Sequence, residues 1–257
     1  MSLSQFFRLM DAMARMSLRA DATKFILGYI WWILEPLLYV GVLYVVFTLI
    51  LSSRQADFLW FLMCGKLAFI WFSKSITQAS NSIVSGKGLV GKINVPKTLF
   101  PMAVIQECLY KQAAVFSFLF VVLLAAGYPL TINWLYVVPV AVVNYIMIIA
   151  LAFIGAFLVT MMRDFSPLIG LGMIFLMFTS GIFWNIRDLG DPAKTDFLLT
   201  INPLAFVLDA YRQALMYNTP PDLWHLLAIG LGFGSLALAM VIVMTRQSQF
   251  LALKALN

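Results

Sequence analysis

The sequence predicts an all-α membrane protein with six membrane-spanning helices, preceded by an amphipathic helix and joined by short polar connections. Hydrophobic residues make up 63% of the 257 residues, charged residues make up 11%, and the mean hydropathy is +0.95. Soluble domains contain roughly 45 to 50% apolar residues, so this composition excludes an ordinary soluble protein. The sequence contains no long linker, low-complexity segment or internal repeat. We therefore expect one transmembrane domain over residues 1–257.

Residues 1–28 are predicted to contain an amphipathic helix that lies in the inner membrane interface. Over residues 4–19, apolar side chains recur at helical spacing and polar side chains occupy the opposite side. The apolar positions are Phe6, Leu9, Met10, Met13 and Met16, and the polar positions are Gln5, Arg8, Arg15 and Arg19. This pattern is typical of an interfacial helix. A soluble helix packed on a partner is the alternative.

Six apolar segments are long enough to cross a bilayer. They cover residues 29–51, 58–79, 102–126, 134–160, 167–184 and 223–245. The first segment is long enough to span the membrane rather than to be removed as a signal peptide. Six crossings place both termini on the same side of the membrane.

The distribution of basic residues predicts which side that is. The segments assigned to the inside carry Arg8, Arg15, Arg19, Lys24, Lys87, Lys92, Lys97, Arg163, Arg246 and Lys254, whereas those assigned to the outside carry only Arg54, Arg187, Lys194 and Arg212. Cytoplasmic loops of membrane proteins carry the excess of lysine and arginine. Both termini are therefore expected in the cytoplasm.

The basic connection at residues 81–98 contains a partial phosphate-binding motif. Residues 86–92 fit the first seven positions of G-x-x-x-x-G-K-[ST], but the eighth residue is Ile93 and cannot ligate Mg²⁺ through a hydroxyl. The flanking segments are membrane spans rather than the strand and helix that such a loop joins. We therefore predict a small basic helix that presents Lys87 and Lys92 to the cytosol.

The segment at residues 185–221, between the fifth and sixth spans, is predicted to form two short helices that dip back towards the membrane from outside. It is too long for a turn, and its moderately apolar part is broken at Asn202-Pro203. Irregular backbone at membrane depth is tolerated only where it is buried in protein or lines water. This segment is therefore a candidate outer gate.

Four charged residues in the first three spans, Glu35, Lys74, Glu107 and Lys111, fall within roughly 15 Å of the inner surface by residue counting. Charges at such depth are usually paired or face water. One interpretation is a static ion-pair cluster that holds these spans together. The other is a lateral entrance that recognises a diphosphate headgroup. Lys66 lies deeper and has no evident partner in the sequence.

Catalysis by this chain is not expected, because no carboxylate pair, nucleophile with a base, or metal-binding constellation is evident. Cys64 and Cys108 each lie in an apolar span, where they are predicted to be small buried hydrophobic residues rather than disulfide partners or metal ligands. The basic residues are scattered between spans and form no nucleic-acid-binding patch. The sequence thus predicts no bound cofactor, no metal and no nucleic-acid partner.

An ordered set of short motifs resembles the ABC-2 type permeases that export O-antigen and capsular polysaccharides. The motifs are Leu27-Gly28-Tyr29-Ile30-Trp31, Leu34-Glu35-Pro36-Leu37-Leu38, Val95-Pro96-Lys97, Phe100-Pro101, Ser180-Gly181-Ile182-Phe183-Trp184, Asn202-Pro203-Leu204 and Tyr211-Arg212. They occur in the expected order through nearly the whole chain.

The resemblance implies a homodimer in the inner membrane that works with two copies of an ATP-binding cassette subunit, and that subunit would bind ATP and Mg. The substrate would be a polysaccharide on a polyprenyl-diphosphate lipid. The ATPase would be contacted by Ser85, Lys87, Leu89 and Lys92, with Arg163 and Asp164 as a second contact. The outer gate would include Phe183, Trp184, Asn202, Pro203, Tyr211 and Arg212.

Aromatic residues make up 15% of the sequence and offer flat apolar surfaces over which sugar rings could slide. Candidates for the channel wall are Trp32, Tyr39, Trp71, Phe72, Phe175 and Phe178. Aromatic residues also anchor spans at the membrane interface, which is the alternative for each. Within the same fold, export of teichoic acid, a drug or another lipid is the alternative function. A flippase driven by an ion gradient and a membrane enzyme acting on lipid are further alternatives.

Overall fold

The computed structural model describes residues 2–24, 26–46, 57–90 and 95–256, and within these ranges every regular element is helical. The α-helices are α1 (Leu3–Lys24), α2 (Trp31–Val45), α3 (Phe58–Ser85), α4 (Lys87–Val90), α5 (Leu99–Ala125), α6 (Val137–Met161), α7 (Phe165–Thr179), α8 (Pro192–Ile201), α9 (Pro203–Leu215), α10 (Leu223–Arg246) and α11 (Ser248–Leu256). Short 3₁₀ turns occupy Gly28–Ile30, Ile132–Tyr136 and Ile186–Asp188. The predicted all-α fold is confirmed for this part of the chain.

In the described residues, five helical segments are long and apolar enough to cross a membrane. They are Gly28–Val45, Phe58–Ser85, Leu99–Ala125, Ile132–Met161 and Leu223–Arg246. Each overlaps one of the six predicted spans, so a multi-pass membrane protein is confirmed.

Helix α7 corresponds to the remaining predicted span, 167–184, but it is shorter than predicted. Its 15 residues extend about 22 Å at 1.5 Å per residue, against a hydrocarbon core of about 30 Å. The helix stops at Thr179 because the chain turns at Gly181, which has φ +68°. A Cβ at Gly181 would lie 2.6 Å from the Ile186 side chain, so this turn favours glycine on both counts.

Helix α3 is the central element of the bundle, and it packs against α2, α5, α6, α7 and α9. Its closest approach to α6 occurs where a Cβ added at Gly155 would lie 2.0 Å from the Ser80 hydroxyl oxygen. Small residues at such a crossing let two membrane helices pack with their backbones close together.

The predicted second span ends near residue 79, whereas α3 continues through the polar residues that follow. These side chains hydrogen-bond to carbonyls of the preceding turn: Ser80 Oγ donates to Ile76 at 2.7 Å and Asn81 Nδ2 donates to Thr77 at 2.9 Å. Polar groups satisfied in this way do not end a helix. Helix α1 similarly continues to Lys24, five residues beyond the predicted periodic segment 4–19.

Both terminal helices lie at the same end of the bundle as α4. A buried cluster at this end joins Ile83 of α3, Phe100 of α5, Phe153 of α6 and Leu251 of α11, and Met13 of α1 packs against it. The connections at the opposite end are tied together as well, because Thr131 Oγ1 donates to Asn218 Oδ1 at 2.6 Å. The location of both termini on one side of the membrane stays a prediction.

Candidate functional site

A cavity of about 640 Å³ opens between α1, α2, α3 and α5, and it contains most of the predicted charged cluster. Lys74, Lys111 and Glu35 line its wall together with three tryptophan side chains. The complete lining is Asp21, Trp31, Trp32, Glu35, Pro36, Ile70, Trp71, Lys74, Gln78, Cys108, Lys111, Gln112 and Val115. The wall thus combines lysine ammonium groups, which can donate hydrogen bonds, with the apolar surfaces of tryptophan rings.

One ion pair crosses from α2 to α3 at the mouth of this cavity. Lys74 Nζ lies 2.6 Å from Glu35 Oε1, and the two side chains are 45% and 50% exposed. Pro36 follows Glu35 directly and lacks a backbone N–H, so the i−4 carbonyl, that of Trp32, receives no hydrogen bond from it. The pair is therefore accessible and lies beside an interrupted stretch of helix.

A second ion-pair group joins α5 to α1. Lys111 Nζ lies 2.6 Å from Glu107 Oε1 in the same helix and 2.7 Å from Asp21 Oδ2 of α1. It also lies 5.6 Å from the centroid of the Trp32 ring. All four predicted charged residues thus meet at one place, although Glu107 pairs with Lys111 without lining the cavity itself.

The sequence analysis missed Asp21, which completes this group. Burial tends to raise the pKa of Asp21, but hydrogen bonds from Lys111 and Lys24, together with their charges, outweigh it and lower the pKa to about 2. Asp21 could have been found from its i, i+3 spacing to Lys24, which allows an ion pair if the helix continues beyond residue 19. Tyr110 Oη donates to Asp11 and gives a further contact between α5 and α1.

A smaller cavity of about 270 Å³ adjoins the first, with which it shares Glu35, Pro36, Ile70 and Lys74. Lys66 and Ser73 of α3 and Met177 of α7 complete its polar and sulfur-bearing wall. The two cavities are therefore neighbouring spaces along one face of α3.

The predicted channel aromatics separate into four environments. Trp32 and Trp71 line the larger cavity. Tyr39 of α2 lines the smaller cavity, whereas Phe175 and Phe178 are exposed on α7. Phe72 is enclosed in the hydrophobic core with about 1% exposure, so its side chain contacts other residues of this chain.

Helix α9 is inserted into the bundle, and every side chain from Leu204 to Leu215 is buried. Pro203 occupies the first turn, and Asn202 caps the helix by accepting a hydrogen bond from the Ala205 N–H at 3.1 Å. The same Asn202 side chain donates to Ser180 Oγ at 3.0 Å, at the end of α7. The predicted pair of short helices broken at Asn202-Pro203 is confirmed.

The buried Arg212 side chain of α9 makes hydrogen bonds to two other segments of the chain. Its guanidinium donates to the backbone carbonyls of Phe61 at 3.2 Å, Gly181 at 2.8 Å and Ile182 at 3.3 Å. It also lies 3.5 Å from the centroid of the Phe61 ring. Arg212 therefore connects α9 to α3 and to the turn that ends α7.

The other predicted gate residues make separate contacts. Tyr211 is fully buried against the Phe116 ring at a centroid distance of 5.5 Å, and Trp184 Nε1 donates to the Phe178 carbonyl at 3.1 Å. The Phe183 ring lies 5.5 Å from that of Phe178. The connection of α9 to the end of α7 comes instead from the hydrogen bonds of Asn202 and Arg212.

A second acidic group missed by the sequence analysis also stabilises the packing of α9. Asp209 of α9 is buried and accepts hydrogen bonds from Arg187 Nη2 at 2.7 Å and from Gln213 Nε2 at 2.7 Å. The hydrogen bond to Asp209 is the main reason why the pKa of Arg187 is raised.

The predicted ATPase contacts that the structure describes lie at the end of the bundle that carries α4 and both terminal helices. Ser85 and Lys87 are exposed at the junction of α3 and α4, and Arg163 and Asp164 are exposed in the turn between α6 and α7. Lys92 and the side chain of Leu89 lie outside the described residues.

Comparison with known proteins gives relatives along most of the chain. Two proteins of Klebsiella pneumoniae named O-antigen export system permease protein RfbA are each 24% identical over 220 residues, covering 84% and 85% of this chain and 83% and 84% of the relatives. A protein of the same name from Myxococcus xanthus is 22% identical over 227 residues, covering 88% of this chain and 87% of the relative. No protein-family profile matches the chain. The resemblance to O-antigen export permeases is confirmed.

Proposed function

We propose that this chain is the membrane permease subunit of an ATP-driven exporter that moves O-antigen polysaccharide on a polyprenyl-diphosphate lipid across the inner membrane. The observation that carries the proposal is the similarity to three O-antigen export permeases over about 85% of this chain and of each relative. The alternatives, export of teichoic acid, a drug or another lipid and ion-driven flipping, are not favoured by these relatives.

The larger cavity is the proposed binding site for the diphosphate headgroup. Ammonium groups are strong donors to phosphate oxygens, and Lys74 and Lys111 supply two of them on one wall. The tryptophan rings beside them offer apolar surfaces for the first sugar or the start of the prenyl chain. The carboxylates of Glu35 and Asp21 hold the lysines in position when no headgroup is bound.

Energy would reach this site from a separate ATP-binding subunit that docks on the inner end of the bundle. The exposed junction of α3 and α4 is well suited to this role, because α3 runs from it to both cavities and to Arg212. Arg163 and Asp164 lie in the turn between α6 and α7 and would form the second contact. The chain itself would supply no nucleotide site.

Helix α7 and the exposed face of α2 are the proposed surface between two copies of the permease. Leu168, Leu171, Ile174, Phe175 and Phe178 of α7 are all more than half exposed, as is Val42 of α2. In this arrangement α7 forms the sixth crossing together with the residues up to Trp184. Both termini and α4 would then lie in the cytoplasm.

Co-purification with the ATP-binding subunit tests the proposal. Reversal of two inner charges in the variant Lys87→Glu/Arg163→Glu should reduce the recovered ATPase by about ten-fold or more, because like charges across an interface cost several kcal/mol. Lys194→Glu is the matched control, since Lys194 is 73% exposed on α8 and distant from the inner end. A permease that exports glycolipid without ATP or a partner would refute the proposed function.

The side of α4 can be tested independently with a cysteine at Gly88. This position is exposed, and a Cβ there would meet no atom within 4 Å, so Gly88→Cys should not disturb the fold. A membrane-impermeant thiol reagent should label it only after the cells are opened. Labelling in intact cells would place α4 on the outer side and exclude docking to a cytosolic ATPase.

A further inference from the structure

Lys66 is a buried cation that forms no ion pair with any described residue. It is 3% exposed, and among the described residues no carboxylate lies within salt-bridge distance of its Nζ. The ammonium instead lies 2.9 Å from the Met177 sulfur, 4.3 Å from the Tyr39 ring centroid and 5.1 Å from the Phe69 ring centroid. A thioether is a weak acceptor, and aromatic rings compensate only in part for lost hydration.

Buried lysines in membrane spans are costly and usually mark an ion or substrate pathway. Lys66 fits this rule because it lines the smaller cavity, whose wall also contains Ser73, Lys74 and Glu35. An incoming anion could therefore reach the Lys66 ammonium through space that already exists.

The spacing of the lysines along α3 connects this cavity to the proposed headgroup site. Lys66, Ile70 and Lys74 are four residues apart and share one face of the helix, so Lys66 lies about 12 Å along the axis from Lys74. Lys74 and Ile70 line both cavities. An anion that leaves Lys74 towards the outer end of α3 therefore meets Lys66 next.

We propose that Lys66 forms a second, deeper binding site for the diphosphate of the lipid-linked substrate, which the headgroup occupies after it leaves Lys74 and Lys111. This inference rests on the proposed function and adds an intermediate position on the path. Binding involves no covalent step: the Lys66 ammonium donates to phosphate oxygens, and the Ser73 hydroxyl adds a neutral donor. Tyr39, which is half exposed, lies over the ammonium and would be displaced or would pack against the first sugar.

Two single cysteines can report on the two cavities separately. Of these two cavities, Ser73 lines the smaller one and Gln78 lines the larger one. Ser73→Cys and Gln78→Cys would each be made in the complete permease–ATPase complex after replacement of the buried Cys64 and Cys108 by alanine. The measurement is the rate of thiol modification by a small reagent as polyprenyl diphosphate without glycan is added.

Polyprenyl diphosphate should protect both cysteines when Lys66 is present. Lys66→Met should raise the concentration needed to protect Ser73→Cys by about ten-fold to a hundred-fold, the range expected for one lost hydrogen bond between charged groups. Lys66→Arg should restore most of the protection, because it keeps the charge. Protection of Gln78→Cys should change less than two-fold in either background, and Lys194→Met should leave both curves unchanged.

The outcomes separate this inference from the proposed function. Equal protection of Ser73→Cys with and without Lys66, in a complex that hydrolyses ATP and exports glycolipid, would overturn the deeper site alone. Protection of Ser73→Cys only by substrates with acidic sugars would assign the anion to the glycan and overturn the headgroup assignment. If neither Ser73→Cys nor Gln78→Cys is protected in complexes that retain Lys66, and these complexes export no glycolipid, the proposed function itself would be contradicted.

Discussion

The contact between Gly65 of α3 and Arg212 of α9 can be used to test how α9 is attached to the bundle. A Cβ at Gly65 would lie 2.2 Å from Arg212 Nη2 and 2.9 Å from Cζ. Ordinary contacts begin at 3.4 Å, so Nη2 must move by about 1.2 Å in Gly65→Ala. Such a shift breaks its 3.3 Å hydrogen bond to the Ile182 carbonyl and weakens the bond from Nε to Phe61.

The expected cost of Gly65→Ala follows from these bonds. Each hydrogen bond from a charged donor contributes about 1.5 to 3 kcal/mol, and alanine regains up to about 1 kcal/mol of helix propensity. One broken and one weakened bond therefore predict a net loss of about 0.5 to 5 kcal/mol in the free energy of unfolding. The assay is denaturant unfolding of the purified chain in detergent, with Gly41→Ala as the control because a Cβ there meets no atom within 4 Å.

A double-mutant cycle decides whether the loss passes through Arg212. In the Arg212→Met background the guanidinium is absent, so Gly65→Ala should be neutral or should stabilise the fold by up to about 1 kcal/mol. Additive losses, in which Gly65→Ala costs the same in both backgrounds, would refute the proposed clash. If Gly65→Ala alone has the wild-type free energy of unfolding, the hydrogen bonds from Arg212 to the three carbonyls do not contribute measurably to stability.

Three further predictions concern the charged groups. Lys111→Met should leave subunit assembly intact but reduce the stimulation of ATP hydrolysis by lipid-linked glycan at least several-fold, because a charged donor to the headgroup is lost; unchanged stimulation would contradict the headgroup site. The pKa of Asp21 is lowered to about 2 from the ordinary 3.8, so its contribution to docking of α1 is complete above about pH 4 and is lost as the pH falls towards 2; proteolysis of α1 should accelerate in this range, and Asp21→Asn should reduce the pH dependence to the part that Asp11 contributes through Tyr110. Asp209→Asn should destabilise the outer helices, because Arg187 loses its buried carboxylate, and hydrogen exchange in α9 should increase while exchange in α1 stays unchanged.

The sequence was sufficient for the all-α fold class and for three of the four charged residues that line the larger cavity. Charged residues are rare in apolar spans, so residue counting alone brought Glu35, Lys74, Glu107 and Lys111 to the same depth. Asp21 was missed because the periodic pattern was ended at residue 19, and a helix boundary inferred from a pattern carries an error of a few residues. The length of α7 was overestimated because hydropathy does not register a turn such as that at Gly181.

The contacts that α9 makes through Arg212 and Asp209 could not be predicted from the sequence. The partners of Arg212 are the backbone carbonyls of Phe61, Gly181 and Ile182, and a backbone group carries no side-chain signal in the sequence. Asp209 and Arg187 are 22 residues apart on separate elements, so their pairing depends on how α9 inserts into the bundle. Both cases are tertiary contacts between segments that sequence patterns describe only singly.

The cations of this chain divide into those that are committed to the fold and those that a substrate can recruit. Arg212 is 1% exposed and donates to three carbonyls, so an incoming anion would have to break a buried network to reach it. The Lys74–Glu35 pair is about half exposed, and such pairs contribute only about 0 to 1 kcal/mol. A diphosphate offers more charge and more acceptor oxygens than the Glu35 carboxylate and can displace it at small cost. If the larger cavity is the headgroup site proposed above, Glu35 would act as a weak competitor that keeps Lys74 positioned, and Glu35→Gln should tighten headgroup binding there while Lys74→Met weakens it.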